Sequence, residues 1–159
     1  HIIDSVQAIE FIDFNCNTTY DLGSGGGFPG IVMAIIFKNI KKNMKVNLYE
    51  KSYHKSLFLR EVSRKLNLDT EVIQADVFNK KEMKSATIIA RAFKPLPLVL
   101  ELVYKNFKNY KNLILFMGKS GNVILKETLK EWDFSFEKKK SITSEDSFLL
   151  NIKNIKKNI

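Results

Sequence analysis

The sequence predicts a single α/β domain whose sheet is mostly parallel and finishes in an antiparallel hairpin. Three observations carry this reading. Strand-like and helix-like segments alternate along the chain, the pattern of parallel strands joined by right-handed helical crossovers. One turn is crowded with glycine: Asp21 to Gly30 reads DLGSGGGFPG and holds five of the seven glycines. The last two strand-like segments read as an antiparallel pair. At 159 residues the chain suits one domain, 1–159, and no linker-like or low-complexity stretch divides it.

The elements follow in order. Asp4 to Phe14 carries Val6, Ile9, Phe11, Ile12 and Phe14 at helical spacing, with Asp4 or Ser5 as N-cap. Thr18 to Leu22 is a short strand that runs into the glycine turn. Pro29 suits the first turn of the next helix, where its missing N–H costs nothing, and that helix reaches about Phe37. Lys45 to Tyr49 alternates as a strand and stops at Glu50. Ser52 to Leu66 is helical, with Leu57, Phe58, Val62 and Leu66 in its pattern. Thr70 to Gln74 is a third strand, ending at Ala75-Asp76. Ala86 to Ala90 is a fourth, ending at Arg91. A helix from about Leu98 to Phe107 follows two prolines, and Leu113 to Met117 is the fifth strand. Val123 to Trp132 is the last helix. Phe134 to Glu137 and Phe148 to Ile152 form the final pair, which the tail NIKNIKKNI can extend.

Lysine and arginine number 26 against 17 acids, a net charge of +9 that favours a polyanionic partner. Cys16 is the only cysteine and the histidines are His1 and His54, so neither an internal disulfide nor a metal centre is expected. No run approaches the ~20 apolar residues of a membrane span, so a reduced, cytoplasmic protein without a membrane partner is expected.

A strand, a glycine-rich turn and a helix N-terminus make a nucleotide site, because backbone N–H groups and the helix dipole face the ligand. Three ligands compete for it. A nucleoside triphosphate is rejected: Gly118-Lys119-Ser120 imitates the end of a P-loop, but Leu113 stands where its first glycine belongs. A dinucleotide fits Gly25-Gly26-Gly27-Phe28-Pro29-Gly30 as G-x-G-x-x-G, with Glu50 where a ribose-binding acid belongs. S-adenosylmethionine shares that acid and adds Asp21, two residues before Gly23. A carboxylate there holds the donor's cationic amino group, directly or through water, whereas it would repel a dinucleotide's phosphates. This one charge favours the methyl donor. The alternative role of Asp21 is to cap the loop. Asp76 has two readings as well, flanking the adenine or capping a turn.

Four segments then resemble one family. DLGSGGGFPGIVMAI, from Asp21, closely resembles the loop of the bacterial small-subunit rRNA guanine-N7 methyltransferases (RsmG, or GidB, glucose-inhibited division protein B). HIIDS at His1–Ser5, EKSYHKSLFLREV at Glu50–Val62 and ARAFKPL at Ala90–Leu96 are similar to its other characteristic stretches. The resemblance covers essentially the whole chain. It implies a class I, Rossmann-like methyltransferase fold, S-adenosyl-L-methionine as cofactor, and methylation of a guanine N7 in the 530 loop of 16S rRNA, either naked or in the 30S subunit. It also implies a further helical segment before HIIDS, so this chain resembles a fragment of the family's length. A monomer is expected.

Carried over by position, Gly23, Gly25, Gly27 and Phe28 line the donor site beside Asp21 and Glu50, and Asp76 and Val77 lie by the adenine. Arg91 sits between donor and RNA, where it is expected to position the guanine or bind the donor carboxylate; its alternative is a plain surface arginine. Two departures from the family pattern stand out: its basic pair after Glu50 is His54-Lys55 here, and its Lys-Gly after the fifth strand is Lys119-Ser120. Lys55, His54 and Lys119 are candidate phosphate contacts, and Phe93 is a candidate for stacking on a splayed base, with a core role as its alternative. Guanine N7 is already a lone-pair nucleophile, so no general base is expected; orientation must supply the rate.

Overall fold

The computed structural model describes residues 1–84 and 86–159. Its elements are α1 (Ile2–Gln7), a 3₁₀ turn (Ala8–Phe11), β1 (Thr18–Leu22), α2 (Gly30–Asn39), β2 (Lys45–Glu50), α3 (Tyr53–Lys65) and β3 (Thr70–Gln74). There follow a second 3₁₀ turn (Val77–Asn79), β4 (Thr87–Arg91), α4 (Leu96–Asn106), β5 (Asn112–Met117), α5 (Gly121–Thr128), β6 (Trp132–Lys140) and β7 (Phe148–Lys157). The strands form one sheet in the order β3-β2-β1-β4-β5-β7-β6. Strands β1 to β5 are parallel, and β7 runs antiparallel to both β5 and β6.

Alternation along the strands builds a core on each face. On one face Tyr20, Leu22, Ile88, Ala90, Leu113 and Leu115 pack under α4 and α5. On the other, Val46, Leu48, Ile89 and Ile114 meet Met33, Ala34 and Phe37 of α2 and Leu59 of α3. This explains why β4 carries the consecutive apolar residues Ile88, Ile89 and Ala90: a central parallel strand is buried on both sides. Sequence order reverses between β1 and β4, which opens a crevice at their C-terminal ends, where α/β sheets bind ligands. Among the described residues no helix is long and apolar enough to cross a membrane.

Three boundaries differ from the sequence reading. The expected helix from Asp4 to Phe14 is a short α1 followed by a 3₁₀ turn, and Asp4 lies inside α1 rather than at its cap. Its carboxylate is taken by side chains far along the chain, Ser141, Thr143 and Arg91, instead of by the helix backbone. Pro29 is the N-cap of α2, not its first helical residue. The last helix ends at Thr128, and Trp132 opens β6 with its indole buried against Tyr104 of α4. The tail extends the last strand, as its sequence allows, and pairs as far as Lys157.

Candidate active site

The turn from β1 to α2 is tied at several points. Ser24 N–H donates to the Tyr49 carbonyl at 2.9 Å, Ser24 Oγ to the Asp21 carbonyl at 3.2 Å, and Gly27 N–H to the Ser24 carbonyl at 2.8 Å. Gly23 has φ +71, and a Cβ there would lie 2.4 Å from the Phe93 ring. Gly30 serves packing: a Cβ would meet Asp21 Oδ2 and Leu48 at 2.3 Å, so only glycine lets α2 sit this close to the sheet.

Beside this turn lies a cavity of about 490 Å³, walled by Gly23, Gly25, Phe28, Glu50, Asp76 and Val77 among others. That volume suits a nucleoside-sized ligand. Glu50, at the end of β2, organises the wall: Oε2 accepts Gly25 N–H and Oε1 accepts Ser52 N–H, each at 2.8 Å. A carboxylate offers about four acceptor sites, so lone pairs remain for a ligand's hydroxyls. Asp76 caps the turn after β3, Oδ1 accepting Phe78 N–H at 3.1 Å, while Oδ2 faces Lys51 at 3.4 Å. It therefore caps the turn and also stands on the cavity wall. Phe93 also lines the cavity and stacks on Phe78, with ring centroids 5.9 Å apart.

Two residues of the expected donor site do not reach the wall. Gly27 turns under the loop with φ +95, against Ile31 and Leu59. Asp21 is 0% exposed beneath the loop, where Oδ2 accepts Gly30 N–H at 3.0 Å and Oδ1 has no partner. Burial pushes its carboxyl up to about 7; the nearby Ser24 hydroxyl and the Gly30 N–H oppose the shift, and Glu50 adds to it. The structure thus gives Asp21 the loop-capping role. Direct contact with a donor's amino group is not available to a side chain with no exposed surface.

Arg91, at the end of β4, joins the cavity to a second one of about 400 Å³ lined by Asp4, Phe116, Ser141, Phe148 and Leu149 among others. Its guanidinium lies over the Phe116 ring at 5.1 Å, and Nη2 donates to Asp4 Oδ2 at 3.3 Å. Asp4 Oδ1 accepts from Ser141 Oγ at 2.9 Å and from Thr143 Oγ1 at 2.7 Å. Burial works to raise the Asp4 carboxyl, but hydrogen bonds from Thr143, Ser141 and Arg91, with the guanidinium charge, outweigh it. The group lies below the ordinary carboxylate value and is charged.

Of the expected RNA contacts, Lys55 stands on the wall of the first cavity. His54 is exposed on α3 against Tyr53, and Lys119 is exposed after β5, next to Gly118 of the second cavity; neither lines the first. Sequence reasoning missed Asp4, Ser141 and Thr143. Asp4 stands inside the HIIDS segment, so a signal was present, but its partners lie 87 to 139 residues away.

Comparison with known proteins gives the family and the fold. Residues 1–152 match the family model described as GidB, rRNA small subunit methyltransferase G. The chain is 66% identical over 157 residues to the ribosomal RNA small subunit methyltransferase G of Pelagibacter ubique (strain HTCC1062), covering 99% of this chain and 74% of that one. Two solved structures share the fold at low identity. A SAM-dependent methyltransferase from Aquifex aeolicus superposes with a TM-score of 0.69 at 16% identity, covering 95% of this chain and 89% of that one. The glycopeptide N-methyltransferase MtfA, complexed with S-adenosyl-L-methionine, gives 0.71 at 9%, covering 95% and 92%. With the class I fold, the glycine-walled cavity and Arg91 at its edge in place, the chain belongs to the rRNA small subunit methyltransferase G (GidB) family.

Proposed function

We propose that this protein transfers a methyl group from S-adenosylmethionine to N7 of a guanine in the 530 loop of 16S rRNA. One observation carries the reading. The glycine turn and the ends of β2 and β3 enclose a nucleoside-sized cavity, and Arg91 stands at the edge where a second cavity begins.

The residues present fit the cofactor. The bare backbone of Gly23 and Gly25 permits close approach, Glu50 keeps free acceptor sites for ribose hydroxyls, and Asp76 and Val77 flank the adenine end. Asp21 and Gly27 serve the site from behind, by shaping the loop. Bound there, S-adenosylmethionine supplies an electrophilic methyl group. Guanine N7 carries a lone pair at neutral pH, so no side chain has to remove a proton. The protein's task is to hold N7 in line, a gain of orientation. Arg91 is suited to it: a guanidinium can donate to guanine O6 and leave N7 free for attack. Lys55 at the cavity mouth, with Lys119 and His54 on the same side, provides phosphate contacts, and Phe93 offers a face for stacking.

The test is to incubate the protein with methyl-labelled S-adenosylmethionine and 30S subunits that lack the modification, then map the label by cleavage at N7-methylguanine. Label at one guanine of the 530 loop is the expected result. Label elsewhere, or none while calorimetry shows the donor bound, overturns the substrate.

A further inference from the structure

The second cavity carries Asp4, Arg91 and Ser141 on its wall. The geometry points to Asp4 as a specificity residue: its Oδ2 accepts the N1–H of the target guanine while Arg91 holds O6. This inference rests on the proposed N7 methylation and adds the recognition that selects guanine.

The spatial order of the groups is the first argument. Arg91 lines both cavities; Asp4 lines only the second. Moving away from the donor cavity, a base therefore meets Arg91 and then Asp4. Around the edge of guanine the order is N7, then O6, then N1–H: a nucleophile, an acceptor and a donor. With N7 turned to the donor cavity, the O6 acceptor falls to the cationic Arg91 and the N1–H donor falls to the anionic Asp4. Adenine reverses both of the last two groups, presenting an amino donor to the arginine and a bare N1 lone pair to the carboxylate.

The capacity of the carboxylate is the second. Its four acceptor sites are partly used: Ser141 Oγ and Thr143 Oγ1 occupy Oδ1, and Arg91 Nη2 occupies one side of Oδ2. One site is left, on the oxygen that already faces Arg91. The two hydroxyls fix the carboxylate's rotation and, together with the arginine, keep it ionised. Both side chains are largely enclosed, at 12% exposure for Asp4 and 19% for Arg91, so a bond made here is little weakened by water.

The walls are the third. Phe116 lies under the guanidinium, and Phe148 and Leu149, both nearly buried, also line this cavity, so Asp4, Arg91 and Ser141 stand in largely apolar surroundings. Asp4, Arg91 and Ser141 come from α1, β4 and the β6–β7 turn, so the pocket exists only in the folded sheet.

The test uses 30S particles reconstituted with 16S rRNA ligated around a synthetic segment that carries guanosine or 1-deazaguanosine at the target. The analogue replaces N1–H by C–H and keeps O6 and N7. Single-turnover methylation of both is measured for the wild type and for Asp4→Asn. In that variant Ser141 and Thr143 hold the amide oxygen at the Oδ1 position and turn its NH₂ toward the base, so the acceptor is lost. The wild type is expected to methylate guanosine faster by about tenfold to a hundredfold, the range for a hydrogen bond to a charged group. Asp4→Asn is expected to be slower on guanosine and to treat the two targets within about threefold, with donor affinity by calorimetry unchanged. The ratio is internal to each protein, so a smaller folded fraction does not move it. A wild type indifferent to the analogue, or an Asp4→Asn variant that keeps the wild-type ratio, overturns the inference. A wild type that labels no guanine overturns the proposed function instead.

Discussion

Replacing Asp21 by asparagine should remove the pH dependence of stability that this one buried position contributes. The carboxyl has no exposed surface, accepts one hydrogen bond from Gly30 N–H at 3.0 Å and leaves Oδ1 without a partner. Its value rises from 3.8 to about 7 on folding. The sign follows directly. The folded state binds this proton more tightly than the unfolded chain does, so stability is greatest at low pH. It is lost as pH rises from about 4 to about 7, and it is flat above that. Each unit corresponds to about 1.4 kcal/mol, so between pH 5 and pH 8 the wild type should lose about 3 kcal/mol that the variant does not. Asparagine keeps the bond from Gly30 through its amide oxygen. Its NH₂ enters a place with no partner and costs about 1–3 kcal/mol at every pH. The variant should therefore be the less stable protein at pH 5 and approach or exceed the wild type at pH 8. Urea denaturation of both proteins at four pH values measures the difference, and because only the difference matters, every other titrating group cancels. A stability gap that does not change between pH 5 and pH 8 would refute the reasoning, since it would mean that folding does not raise the Asp21 carboxyl above its ordinary value.

Gly23→Ala places a Cβ 2.4 Å from the Phe93 ring at φ +71. Calorimetric affinity for S-adenosylmethionine should fall by at least about tenfold, through displacement of the loop against which the donor lies. Arg91→Ala should lower methylation by about a hundredfold or more, in the range seen when a residue that organises a transition state is removed, with donor binding retained. Equal turnover in that variant would remove Arg91 from the mechanism. Lys55→Ala should weaken binding to unmodified 30S subunits and flatten the dependence of log K on log salt by about one, as the loss of a single phosphate contact requires. An unchanged slope would return Lys55 to a solvated helix face.

Much of the fold was legible because it is written in local periodicity. β4 shows its double burial as an apolar run, and the β1–α2 turn shows itself by glycine. Errors fell where distant contacts overrule local preference. Trp132 continues a helical pattern, yet it begins β6 because its ring packs against Tyr104. Asp4 resembles an N-cap, yet it bonds to Ser141 and Thr143.

The sequence by itself determined the α/β class, the position of the ligand turn and the acids that end the strands, since these follow from spacing along a single segment. Only the tertiary structure decided what those groups face. It turned Asp21 inward, because α2 packs so closely through Gly30 that the carboxylate is sealed beneath the loop. It also joined Arg91 to an aspartate 87 residues away, because the sheet brings the end of β4, α1 and the β6–β7 turn to one rim. Spacing along a chain cannot report which side chains a folded sheet encloses together, since that depends on how separate elements pack.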